Sequence, residues 1–370
     1  MKKIIWLIFA MLIVGCTMSK TDNLNTEPIK IGAVLPLQAS PGYGTQNGEN
    51  SLKGYQLAIE EINAEGGVNG RKLELVVEDH KSGSTQEAIS AYRALRGKSI
   101  DIILGPNYAP LGQAIAPIAC NENVLIVSPA IGSRDFAASC ANAFNVWPAD
   151  YGNSKSLGKL VVEGGYERIA IVGSRQSWEE EQASAVNEGV EEANGNIVEY
   201  MILINDATTM QAEATKIIAA TPDAVIFTNY GYMPLLAKKL RDLGYTRDFF
   251  AVVIDESRRE PAQGAFEGAI AVTTYTPTAE FMAKFEKRFS VKPDLPADTS
   301  YDAIMLVAKA MRETHSTDVN LLAEYLSGVK EYSGASGPFR LGDDGGAIKN
   351  PAFIIVQNDT IVEYVGVIKK

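Results

Sequence analysis

The stretch 29–79, IKIGAVLPLQASPGYGTQNGENSLKGYQLAIEEINAEGGVNGRKLELVVED, decides how the rest of the chain is read. Ile31 to Leu35 and Leu73 to Val77 are continuous aliphatic and β-branched runs, the pattern of strands buried on both faces of a parallel sheet. Between them Leu52, Tyr55, Ile59 and Ile62 recur at spacings of three and four, which lays one apolar stripe along a helix. Gly66-Gly67 follows Asn63-Ala64-Glu65 and supplies residues that accept positive φ where that helix must stop. Strand, helix and strand in this order predict a parallel βαβ unit.

Runs of the same kind recur outward from this unit, at Ile100 to Leu104, Val124 to Val127, Ile169 to Val172, Ala224 to Phe227 and Ala251 to Ile254. Amphipathic helical patterns lie between them, such as Ala88, Ala91, Tyr92 and Leu95. The fold class is α/β with parallel sheets. Residues 29–370 exceed the roughly 250–300 residues at which single cores stop growing, so two lobes are expected. The alternation restarts at Arg168-Ile169 after the turn-rich stretch Trp147 to Asn153, which sets the second lobe's start near Asp150. Beyond Thr276 helical patterns return over Phe281 to Phe289 and Tyr301 to Arg312. The runs Phe353 to Val356 and Ile361 to Val365, split by Gln357-Asn358-Asp359-Thr360, read as a hairpin.

The N-terminus carries Lys2 and Lys3, an apolar run from Ile4 to Val14, and Gly15-Cys16. That run is short for a bilayer span and suits the core of a cleaved signal. Ile13-Val14-Gly15-Cys16 matches a bacterial lipobox. Residues 1–15 are therefore read as a signal peptide, Cys16 as the lipidated first residue, and 16–28 as a polar tether. The expected location is extracytoplasmic, anchored by lipid at the periplasm or the outer face of the cell membrane. Removing Lys2 and Lys3 with the leader takes the formal charge from −11 to −13, which argues against a nucleic-acid partner. The excess is spread over solvated helix faces such as Glu60-Glu61 and Glu179-Glu180-Glu181. Cys120 and Cys140 then remain as an even pair in an oxidising compartment, and a disulfide between them is expected. Two reduced, buried thiols are the alternative.

Catalytic and metal-binding patterns are missing. Gly334-Ala335-Ser336-Gly337 lacks the spacing of a nucleophile elbow and reads as a turn. Only two histidines exist: His80, in a DHKSG segment read as a solvated loop, and His315, at the end of a helical stretch. No CxxC occurs, so no metal, no cofactor and no enzymatic activity are expected. In Gly42-Tyr43-Gly44-Thr45-Gln46-Asn47-Gly48 the third glycine falls one residue late for a dinucleotide fingerprint, and no Walker lysine follows. The same loop could still bring backbone amides at a helix N-terminus to a small anionic or polar ligand.

With IKIGAVLPL and GYQLAIEEINAEGGVNGRKLELVVED, the segments ILGPNYAPLGQAIAPI, VLIVSPAIGSRD, RIAIVGS, AVIFTNYGYMPLLAKKLRDLG and SYDAIMLVAKAM resemble, in order, the branched-chain amino acid type of periplasmic binding protein. Those proteins are the substrate-binding components of ABC importers. The resemblance implies a type I fold: two Rossmann-like lobes joined by three hinge crossovers, with ligand in the cleft. Mapped here, lobe one spans 29–148 and 276–332, and lobe two spans 149–275 and 333–370, with crossings near Pro148, Thr276 and Ser333.

The resemblance also implies the ligand contacts. Tyr43, Tyr108 and Ala109 fall in strand-end loops of lobe one, and Ala130, Ile131, Gly132 and Ser133 follow the Ser-Pro turn. On lobe two, Trp178, Tyr230 and Tyr232 match aromatics over the ligand, and Asp255, or in its place Glu256, matches the acid that pairs an α-ammonium. Ala109 has no hydroxyl where amino-acid binders place a serine for the carboxylate. That departure, with the many aromatic rings, suits an aromatic, amide-like or otherwise partly apolar ligand. The implied partners are a small amino acid or analogue, the permease subunits of an ABC transporter, and the membrane through the lipid. A ligand-sensing receptor on the same fold is the alternative function.

Overall fold

The computed structural model describes residues 27–38, 45–81, 84–204 and 209–370. The expected signal peptide, Cys16 and Tyr43 lie outside the described residues. Ten strands form the two main windings: β1 Ile29–Leu35, β2 Leu73–Asp79, β3 Ile102–Leu104, β4 Leu125–Ser128, β5 Ala143–Pro148, β6 Ile169–Ser174, β7 Ile197–Leu203, β8 Ala224–Phe227, β9 Asp248–Ala251 and β10 Ile270–Thr273. Five more follow: β11 Tyr332–Gly334, β12 Gly337–Leu341, β13 Gly346–Ile348, β14 Ala352–Gln357 and β15 Thr360–Glu363.

The first sheet runs β11-β12-β13-β5-β4-β3-β1-β2 and the second β15-β14-β10-β9-β8-β6-β7. The orders 2-1-3-4-5 and 7-6-8-9-10 are one topology repeated five strands later, although the sequence shows no short repeat. The opening βαβ unit is parallel in register from Ile29↔Leu73 to Leu35↔Asp79, and its helix Gln46–Ala64 stops at Gly66 and Gly67, both at positive φ. In each winding the chain reverses direction about its first strand, which opens a crevice at the carboxyl ends of the strands.

Each sheet is covered on both faces, which is why its strands carry unbroken apolar runs. On lobe one, Tyr55, Ile62, Phe285, Ile304 and Met311 bury one face, and Tyr92, Leu95, Ile115 and Phe136 the other. On lobe two, Leu157, Val161, Val186 and Val190 cover one face, and Ile217, Leu236, Leu240 and Phe249 the other. Full burial of each large side chain is worth about 1.5–3 kcal/mol.

The chain passes from the first sheet to the second between β5 and β6, returns between β10 and the helix Ala279–Phe289, and leaves again between β13 and β14. The third crossing therefore follows Ile348 and does not lie near Ser333 as expected: residues 332–348 belong to lobe one. The cause is a clamp. Asp302, buried on the helix Ala297–Thr314, accepts the Ala335 N–H at 2.7 Å, the Ser336 N–H at 2.8 Å and the Ser336 hydroxyl at 2.6 Å. This folds the turn back so that Phe339, Leu341 and Ala347 enter the first core. Lys349, just past β13, donates to the carbonyls of Thr274 (2.7 Å) and Ser336, tying the second crossing to the third. Two smaller differences concern β9, which lies three residues earlier than the run Ala251 to Ile254 suggested, and β5, β7 and β10, which the run pattern did not single out.

Cys120, in the last turn of the helix Ala109–Asn121, is disulfide-bonded to Cys140, with Cα atoms 6.0 Å apart. Among the described residues no helix is long and apolar enough to cross a membrane. Closing a loop of about 20 residues restricts the unfolded chain by roughly 3 kcal/mol. The variant Cys120→Ala/Cys140→Ala should therefore lose about that much stability in urea unfolding while keeping native far-UV circular dichroism.

Candidate functional site

Loops at the carboxyl ends of β3, β4, β5, β6, β8 and β9 converge on one cavity between the lobes. Lobe one contributes Asn47, Asn107, Tyr108, Ala109, Ala130, Gly132 and Leu295. Trp147 and Asp150 stand at the first crossing, and lobe two adds Gln176, Trp178, Glu179, Tyr230 and Val253. The space open to water centres is about 60 Å³, enough for roughly four to six waters or a compact solute of similar bulk.

At its centre is Asp150. Its carboxylate accepts the Trp178 indole N–H at 3.0 Å and the Trp147 indole N–H at 3.1 Å, and its own backbone N–H donates to the Gly132 carbonyl at 2.9 Å. Burial pushes the Asp150 carboxyl up to about 7, against the two indole donors, which favour the charged form. Gly132 is required by close approach: a Cβ there would collide with Asp150 Oδ2 and Trp178 Nε1. Trp178 begins the helix Ser177–Glu192, whose N-terminal N–H groups at Trp178 and Glu179 are capped by the Gln176 side chain. Trp178 meets the Tyr230 ring edge-on at 6.3 Å, and at the rim Arg134 of lobe one pairs with Glu181 of lobe two at 2.9 Å. The arrangement is a closed cleft.

Of the residues singled out from sequence, Tyr108, Ala109, Ala130, Gly132, Trp178 and Tyr230 line the cavity. Ile131 and Ser133 are buried beside it without lining it, and Tyr232 packs against the core of lobe two. Asp255 stands behind Tyr230 and outside the lining: its carboxylate accepts the Tyr230 hydroxyl, the Ser257 hydroxyl at 2.7 Å and the Arg258 N–H at 2.9 Å, capping the short helix Glu256–Arg259. Glu256, the alternative acid, pairs with Arg259 and does not line the cavity either. Two other acids do reach it: Asp150, which the sequence marked only as a lobe boundary, and Glu179, expected on a solvated helix face but buried, its carboxylate accepting the Ser174 hydroxyl and, at 2.9 Å, the Gly231 N–H. Asp150 carries one signal in retrospect, an acid three residues after a tryptophan at a lobe boundary. His80 differs from its reading as solvated: it is fully buried, edge-on to Tyr108 at 6.4 Å, and burial lowers its pKa. Neither ring nitrogen has a hydrogen-bond partner among the described residues.

A sequence profile described as periplasmic binding protein matches residues 28–360. The chain belongs to that family. Among curated relatives of this periplasmic binding protein, the Leu/Ile/Val-binding protein of Escherichia coli K12 is 27% identical over 237 residues, which are 62% of each chain. The match thus spans less than two thirds of that relative's length. Among solved structures, a leucine binding protein of Thermotoga maritima superposes with a TM-score of 0.84 at 23% identity, covering 91% of this chain and 98% of its own. A solute binding protein of an ABC transporter from R. palustris, in complex with benzoate, gives 0.81 at 18% identity, covering 92% and 96%. At these identities the two structures share the fold.

Two predictions follow from the closed cleft. Gly132→Ala should hold the cleft open, read as a larger radius of gyration by solution scattering at unchanged secondary structure. The second concerns pH. A carboxyl whose pKa is raised in the closed form favours closure below its open value, near 3.9, and loses that contribution as pH rises through its closed value, about 7. Asp294, raised by burial and by the charge of Asp255, acts in the same direction. Closing the empty cleft should therefore take up protons, and tryptophan fluorescence should report more closed protein at pH 5 than at pH 8.

Proposed function

We propose that this periplasmic binding protein is the extracytoplasmic solute-binding component of an ABC importer, anchored through a lipid on Cys16 and delivering its ligand to permease subunits. The observation that supports this reading is the single cavity formed by strand-end loops of both lobes, with Trp178 of lobe two packed against lobe one. A solute that touches both lobes binds the closed form better and shifts the population toward it. A swing from 1:99 to 99:1 needs a differential affinity of about 5.5 kcal/mol, which several buried contacts can supply. The ligand class is an amino acid or a related small polar or amide-like molecule, in keeping with relatives named for leucine, isoleucine and valine and a structure bound to benzoate.

No bond is made or broken in this reading. The cavity lining holds no histidine, serine or cysteine among the described residues. Ligand recovered intact after stoichiometric binding, with a smaller scattering envelope than the ligand-free protein, supports capture. Turnover, or one rigid envelope with and without a confirmed binder, would count against it. Trp178→Ala removes an aromatic that spans both lobes and should weaken binding by at least tenfold in calorimetry, with the thermal midpoint of the ligand-free protein little changed.

A further inference from the structure

Resting on the solute-capture reading, we infer that the cavity takes a small amine or amide, a head group rich in N–H donors, and not a free carboxylate. The charged groups in the lining are both acids. Asp150 and Glu179 both line the cavity, and no Lys, Arg or His does so among the described residues. Among the described residues the Asp150 carboxylate has no ion pair and accepts from the two indoles, so its oxygens retain capacity to accept. Asn107 adds a further acceptor. Its Nδ2 donates to the Asn47 carbonyl at 3.1 Å and the Ser51 hydroxyl at 2.8 Å, which fixes the amide's orientation and leaves Oδ1, 3% exposed as a residue, without a hydrogen-bond partner.

Several donors beside the space are committed elsewhere. At the N-terminus of the helix Ala109–Asn121, Pro110 has no N–H, and the N–H groups of Leu111 and Gly112 return to the Tyr108 carbonyl. Ala109 and Gly132 carry no hydroxyl. The N–H groups of Ala130 and Ile131 both donate to Ser128 Oγ, at 3.2 and 3.1 Å. On lobe two the Gln176 side chain takes the first N–H groups of the facing helix. Arg258, the nearest buried cation, lies outside the lining, stacked over Tyr230 at 4.5 Å with its Nη1 within 3.3 Å of the Tyr230 carbonyl. An anionic head would therefore meet two carboxylates and an orphaned carbonyl oxygen, whereas an ammonium or primary amide would pair Asp150 and Asn107 between aromatic rings that also favour a cation.

Matched pairs test this on the wild-type protein: leucinamide against leucine, and benzamide against benzoate, with isobutylamine as a bare amine, by calorimetry at pH 7.5. The inference expects at least one amide or amine to bind, tenfold or more tighter than its acid partner, because a site built for donors leaves its own acceptors unpaired when they are missing. Asp150→Asn should narrow that preference at least tenfold. Leucine or benzoate binding as tightly as its amide would overturn the inference while leaving solute capture standing. If no compound binds, native mass spectrometry of freshly purified protein decides: a released amine or amide supports the inference and a released carboxylic acid overturns it. The absence of any added or released binder would overturn the capture reading and the inference together.

Discussion

The bond from Trp178 to Asp150, beneath the backbone of Gly132, is the contact on which the closed arrangement depends. It brings the first turn of one lobe-two helix onto the carboxylate at the first crossing, and the Gly132 carbonyl of lobe one accepts from the same aspartate's backbone. Two indole donors stabilise a charge that burial disfavours, and the balance raises the carboxyl's pKa to about 7. The rim pair Arg134–Glu181 adds less, since the arginine side chain is 55% exposed and water screens it.

The repeated winding explains why loops from distant parts of the sequence meet there. In each sheet the order reverses about the first strand, so the carboxyl-end loops splay apart and leave room. Set face to face, the two reversals make one space lined by short segments near positions 107, 130, 150, 178, 230 and 253. Cores buried on both faces of each sheet keep these loops on rigid supports, and the joints lie in the three connectors.

Much of this was legible in the sequence for a physical reason: parallel strands covered on both sides cannot hide their apolar runs, and a helix between them must show a stripe. Hence Ile31 to Leu35, Leu73 to Val77 and the stripe through Tyr55 and Ile62 sufficed for the fold class. The aromatic lining at Tyr108, Trp178 and Tyr230 was reachable through the family resemblance, which places those residues in strand-end loops. The third crossing was not, because it depends on Asp302 clamping a turn more than thirty residues away in sequence, at Ser336. Asp255 was expected at the ligand because the resemblance matches it to the acid that pairs an α-ammonium. Its own helix claims it, and no local pattern distinguishes an acid that caps from one that faces a cavity.

Lys349 has a mechanical consequence. Standing on the third connector, its ammonium, buried and lowered in pKa, holds the carbonyl of Thr274 on the second connector and that of Ser336 in a turn of lobe one. Two of the three links between the lobes are thereby riveted at a shared point, so a torque on either is felt by both. The freedom left to the molecule is a door's swing about a single axle, and sliding or independent buckling of the links is suppressed.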